Sequence, residues 1–194
     1  MDAVAALGHT VKDRESLGHN RRVARLCVQI GRQLAMTTSE LRVLARAGLL
    51  HDIGKLGIPN QILDKHTALD ESEWMLMKSH PEIGLSILGD SRSRREQLAV
   101  LYHHERLDGS GYPYGLVAEG IPIEARIVAV ADTYDALTSN RPYRKACSPM
   151  EARLVLMEEA GSRLDTRVVS AMFAALDSRM THSAELARRM SLAV

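Results

Sequence analysis

Apolar residues recur at intervals of three and four along most of this chain, the period of an α-helix that buries one face. Val23, Leu26, Cys27, Ile30 and Leu34 form the clearest stripe, in a helix that begins near Ser16. Before it, residues 1–14 are mildly apolar and predict no more than a short helix. Thr37 followed by Glu40 has the form of a capping box. The helix it opens buries Leu41, Leu44, Ala45 and Gly48, then runs into His51-Asp52. If it continued through that stretch, Lys55 would share a face with both residues. Gly54 and Gly57 weaken it, and Pro59 opens a new turn. Asp70 with Glu73 starts a helix through Trp74, Met75 and Met77. Pro81 either ends that helix or stands at the first position of the next, with His80 as N-cap. Ile83, Ile87 and Leu88 carry the next one to about Gly89, and Ser93 to His104 reads as a charged helix with Leu98, Leu101 and Tyr102 on its apolar side.

Residues 105–122 break the period. Gly109, Gly111, Pro113, Gly115, Gly120 and Pro122 fall there, which predicts a long structured loop, and loops of that length in a compact domain usually carry function. Helix resumes over Ile123–Leu137, with Ile127, Val130, Ala131, Tyr134 and Leu137 in register. Ser148-Pro149-Met150-Glu151 combines an N-cap, a first-turn proline and a capping glutamate, and that helix stops at Gly161. Asp165 caps another through Val168, Met172, Phe173 and Leu176, followed by a polar tail from Ser178. No stretch alternates as a strand does, so the fold class is all-α.

Composition narrows the function classes. The 194 residues suit one domain with a sizeable core. Aromatic residues are 4% of the chain, so Leu, Val, Ile, Ala and Met must build that core. A net charge of +1 argues against tracking a nucleic-acid backbone. Cys27 and Cys147 are too few and too far apart for a disulfide framework or a thiolate zinc site, and Cys27 reads as core. There is no run of about 18 apolar residues to span a membrane, and the first ten residues do not resemble a signal peptide. A cytoplasmic protein is expected.

The chemistry lies in histidines and carboxylates. Of eight histidines, His19, His51, His80, His103 and His104 stand beside predicted helix ends or other ligand types. Singly each would be an ordinary surface or core residue; the set is what signifies. Glu15 and His19 are four residues apart on one helical face. Asp132 lies in an otherwise apolar stretch, where an unpaired carboxylate is costly. His19, His51, Asp52 and Asp132 can complete one nitrogen–oxygen metal site; His80, His103 and His104 can hold a second ion with Asp52 bridging; Glu15 can support a third. Donors of this kind suit Fe, Mn, Ni or Zn. Two such ions about 3.5–4 Å apart can hold a hydroxide able to attack phosphorus at neutral pH, and Lys55 can stabilise a non-bridging phosphoryl oxygen.

The order His19, His51-Asp52, Asp132 resembles the HD superfamily of metal-dependent phosphohydrolases. HDIGKLGIP at 51–59, HPEIG at 80–84, HHERLDGSGYP at 103–113 and ADTYDALTSNRPYR at 131–144 resemble its HD-GYP branch, over most of the chain. The resemblance implies a compact helical bundle with the GYP loop attached. It divides the chain into a short segment at 1–14, a catalytic domain at 15–177 and a tail at 178–194. It implies hydrolysis of cyclic di-GMP to pGpG, with GMP as a further product, on two or three divalent ions, iron or manganese first. The metal ligands would be Glu15, His19, His51, Asp52, His80, His103, His104 and Asp132, with Lys55 near the phosphate. Asp135, Arg141 and Arg144 match positions that contact the dinucleotide, and the GYP loop matches a docking surface for GGDEF-domain proteins. Family members usually carry a receiver or sensory domain in front, for which residues 1–14 leave no room; the chain is then a free-standing catalytic domain or a piece of a larger protein.

Other readings stay open at this level. One keeps the metal site and changes the substrate to another cyclic dinucleotide, an alarmone or a deoxynucleotide triphosphate, the last two disfavoured by the loop. Another is a module that binds the dinucleotide or a GGDEF partner without turnover. A di-iron oxygenase is a small remainder. Away from the site, His9, His66 and His182 read as exposed, and Arg92, Arg94 and Arg95 as a solvated helix start. Val4 and Leu7 offer a weak apolar contact for a homodimer.

Overall fold

The computed structural model describes the backbone of residues 11–140 and 145–191, and the side chains of 17–140 and 145–178. Glu15, Arg141, Arg144, Val4, Leu7, His9 and His182 therefore lie outside the described side chains. The order is α1 (Val11–Gln33), α2 (Thr38–Leu50), a 3-10 turn (Ile53–Gly57), α3 (Asn60–Leu63), α4 (Glu71–Lys78), α5 (His80–Leu88), α6 (Arg94–Tyr102), α7 (Ile123–Thr138), α8 (Pro149–Glu159) and α9 (Thr166–Ser191). Among the described residues there is no strand, only isolated bridges at Asp108–Val117 and Ala160–Leu164. The all-α expectation holds. The last helix runs without a break through the predicted boundary at Ser178.

The stripe on α1 does what its period predicts: Val23, Leu26, Cys27 and Ile30 are buried in the main core, against α2, α7 and α9. The predicted caps form. Thr37 and Glu40, Asp70 and Glu73, and Ser148 and Glu151 each close a reciprocal capping box, and Asp165 accepts from the amides of Arg167 and Val168. On α2 the buried set is Val43, Leu44, Ala47, Gly48 and Leu50, so the face is turned from the predicted one by about a residue. Gly48, common to both faces, sits at the crossing: a Cβ there would stand 2.7 Å from Ala24 Cα, and only glycine lets α1 and α2 approach so closely.

Two polar features depart from the sequence reading. Helix α6, expected to be a charged helix with a solvated start, buries Glu96 and Gln97. Glu96 is paired with Arg46 at 2.5 Å, and Gln97 donates to the carbonyls of Gly89 and Arg92. Of the arginine cluster, Arg95 is no solvated end; it ties Glu40 of α2 to Glu124 of α7. A charged pattern is ambiguous because each charge can be met from another helix.

The long loop is built as expected. Glu105, buried, accepts from the amides of Tyr114 and Leu116 at 2.8 and 3.0 Å. The Tyr112 amide donates to the His104 carbonyl at 3.2 Å. Gly111 makes this return possible, since a Cβ would meet Glu105 Cα at 2.4 Å and the His104 carbonyl oxygen at 2.5 Å.

Candidate metal centre

The site forms where three helices end. The C-termini of α2 and α6 deliver His51 and His103, the junction after α4 delivers His80 as the first residue of α5, and each ring uses its Nδ1 in the same way. His51 Nδ1 lies 2.9 Å from the Gly48 carbonyl oxygen, His80 Nδ1 2.8 Å from that of Met77, and His103 Nδ1 2.6 Å from that of Val100. The last carbonyls of a helix lack an intrahelical partner, so a histidine three residues on can donate to one. Because a carbonyl only accepts, Nδ1 must carry the proton, and Nε2 is left as a lone pair aimed inward.

His19, on α1, is oriented by a carboxylate. Its Nδ1 is 2.7 Å from Asp135 Oδ2. Asp135 also accepts from Arg22 at 2.6 and 3.0 Å and from Ser139 at 3.3 Å, and is itself buried. Both of its oxygens are thus engaged. The resemblance implied a dinucleotide contact for Asp135; its place is behind His19, and the sequence reading missed the His19–Asp135–Arg22 link. Glu105 and its hold on the loop were missed as well.

The inward atoms gather into two groups: Asp52, His80, His103 and His104 in one, and His19, His51 and Asp132 in the other, with the candidate ligand atoms of each within 4.8 Å of one another. Asp52 stands between them. Its Oδ1 is 3.4 Å from His80 Nε2, and its Oδ2 is 3.5 Å from His51 Nε2 and 4.0 Å from His19 Nε2. Asp132 Oδ1 is 3.3 Å from His19 Nε2 and 3.9 Å from His51 Nε2. The helix does not continue through this stretch. A 3-10 turn replaces it, and Lys55 folds back to Asp52 Oδ2 at 2.6 Å. Gly54 lets that turn press on α5, where a Cβ would overlap the His80 carbonyl.

These residues fit a cation. His80 and His103 bring their Nε2 atoms within 3.3 Å of each other, although each ring's proton is committed to a carbonyl on its other side. Two lone pairs face each other there. A proton is a poor remedy, because burial pushes both rings down and the neighbouring His104 down with them. His51 Nε2 is buried with no hydrogen-bond partner. The carboxylates stay charged: burial works against Asp52, but Lys55 and the surrounding imidazoles hold it well below the usual range. Asp132 is held low in the same manner, by its hydrogen bond to His19 and by His51. For His19, burial is outweighed by hydrogen bonds to Asp132 and Asp135, which push it up to about 9.

Tyr112 of the loop caps the first group, stacked on His104 with ring centres 4.6 Å apart. Beyond it stands Trp74 of α4, edge-on at 6.5 Å.

Comparison with known proteins identifies the family. The family model described as HD domain matches residues 10–168. A relative from Xanthomonas campestris named cyclic di-GMP phosphodiesterase response regulator RpfG is 46% identical over 154 residues, covering 78% of this chain and 41% of its own. One from Vibrio cholerae named 3'3'-cGAMP-specific phosphodiesterase 3 is 44% identical over 177 residues, covering 89% of this chain and 37% of its own. The chain thus spans well under half the length of these relatives. Among solved structures, Bd1817, a HDG"Y"P protein from Bdellovibrio bacteriovorus, superimposes with a TM-score of 0.69 at 23% identity over 90% of this chain and 56% of that one, a likeness of fold.

Proposed function

The chain belongs to the HD domain family, and from that premise we propose that it is a metal-dependent phosphodiesterase that hydrolyses cyclic di-GMP. The observation that carries the reading is the pair of donor groups joined by Asp52, one oxygen toward each. The names of both relatives support a cyclic dinucleotide, and that of the Xanthomonas relative, with the Gly109–Pro113 loop beside His104, supports cyclic di-GMP. We assign His19, His51, Asp52 and Asp132 to one divalent ion and His80, His103, His104 and Asp52 to a second. Iron or manganese suits these donors first, with nickel and zinc also compatible. Such ions supply an activated water and neutralise charge on phosphoryl oxygens. Glu15 is assigned to a third ion.

The chain's own residues do the rest. The carbonyl contacts of His51, His80 and His103 fix three rings before any ion arrives, so little ordering remains to be done. Lys55, half-exposed, holds its ammonium on Asp52; with Asp52 engaged by cations it would be available to a non-bridging oxygen of the phosphodiester. Water's oxygen bonds phosphorus, the P–O3′ bond breaks, and a proton ends on the 3′-oxygen, giving linear pGpG; a second round gives GMP. Asp135 orients His19, and Arg141 and Arg144 are assigned to the dinucleotide. Residues 15–177 form the catalytic domain. For a GGDEF-domain protein the loop offers Tyr114 and Val117, both exposed. No helix among the described residues is long and apolar enough to cross a membrane; a cytoplasmic setting is the one proposed.

The test is direct. Protein reconstituted with Mn or Fe under reducing conditions should convert cyclic di-GMP to pGpG, and His51→Ala or Asp52→Ala should lose both turnover and bound metal. Binding of cyclic di-GMP without product under any metal would overturn the hydrolase reading and leave a binding module.

A further inference from the structure

Helix α4 buries none of its residues, yet it carries the chain's sole tryptophan. Trp74 is 45% exposed. An indole left that open at the rim of a charged site is poorly explained by packing. Its surroundings are organised. Tyr112 meets it edge-on at 6.5 Å, and Tyr112 is itself backed by His104 in stacked contact at 4.6 Å. Lys78, one turn further along the same face, holds its ammonium 5.6 Å from the Trp74 ring and 5.7 Å from the Tyr112 ring. These two rings are the partners seen for that ammonium, so its charge is not spent on a carboxylate among the described residues. The same helix fixes a candidate ligand, since the Met77 carbonyl accepts from His80 Nδ1. An aromatic face, a free cation and the phosphate-directed groups thus lie side by side.

We infer that Trp74 is the nucleobase platform of this site: a purine of the cyclic dinucleotide stacks on its open face, with Tyr112 bracing the indole and Lys78 facing the base edge. The inference rests on the cyclic dinucleotide reading above and adds the base contact to it. Stacking serves any base, because every base has a π-face. Lys78 supplies the preference. Its ammonium only donates; guanine offers O6 and N7 as acceptors, whereas adenine sets an amino donor beside N7. The platform therefore favours guanine.

Because Trp74 is the chain's sole tryptophan, its emission reports the platform without turnover. Zinc-loaded protein titrated with cyclic di-GMP should lose emission saturably, over the range where calorimetry sees binding. Ribose 5-phosphate, which has no base, should leave the emission unchanged. Trp74→Leu should weaken cyclic di-GMP about tenfold or more with bound metal unaltered, and Trp74→Phe should recover most of that loss. Lys78→Met should narrow the preference for cyclic di-GMP over cyclic di-AMP. Binding with unchanged Trp74 emission, or full affinity in Trp74→Leu, would remove the platform while leaving the phosphodiesterase reading intact. Absence of any cyclic di-GMP binding by the zinc-loaded wild type would remove both.

Discussion

At the scale of single residues, the position of one proton decides what each imidazole can do. His51, His80 and His103 spend theirs on helix carbonyls and keep Nε2 free. His19 differs: it is held as an imidazolium by Asp132 and Asp135, with a pKa of about 9. A cation must displace that proton, so metal uptake should release it into buffer, and affinity should climb as pH rises toward 9. The metal-free protein responds in the opposite sense. A raised pKa contributes stability that is complete below 6.5 and is lost as pH rises through about 9. The gain in Tm on adding metal should therefore widen between those values, as thermal scans with and without metal would reveal. Asp135→Asn removes the carboxylate behind His19 and should cost about 10- to 100-fold in metal affinity, measured by competition with a chromophoric chelator. Much of this level was legible in the sequence. Each ligand type could be named because His beside a predicted helix end, or Asp within an apolar run, is locally odd. Asp135 could be noticed but not understood, because His19 and Arg22, the partners that give it its place, lie more than a hundred positions away. Trp74 and Lys78 are four apart one turn before His80, a spacing that could have raised the question of a shared face.

Elements bring the ligands to one place through their ends. Three helices stop where a histidine can take up an orphan carbonyl, and the sequence marked those stops with glycine and proline. It did not mark the faces as well. On α6 the burial of Glu96 and Gln97 depends on Arg46 and on the Gly89 carbonyl, neither of which a local pattern contains. The long loop was legible as a loop from its glycines and prolines, but its staple was not: Glu105 holds two amides on the far side of the turn. Glu105→Ala would take the acceptor from both amides, a loss of about 1–3 kcal/mol. Denaturant melts should register that loss, and hydrogen exchange should find the amides of Tyr114 and Leu116 deprotected. Retained protection in the variant would show that another group holds the loop.

For the whole molecule, the core and the site are one construction. The helices that pack the main core, α1, α2 and α7, also supply His19, His51 and Asp132. The class of fold was readable because each helix has its own period. The way α1 lies across α7 was not, since no local pattern encodes a crossing. That crossing carries a consequence in time. Asp132 and Asp135 leave the ribosome more than a hundred residues after His19. The group around His80, His103 and His104 can gather from a shorter span, but the group around His19 needs a loop of more than a hundred residues to close. The nascent chain therefore cannot complete both donor groups until α7 has emerged and docked on α1. On the metal assignment proposed above, a chain caught before that docking would carry a half-built centre.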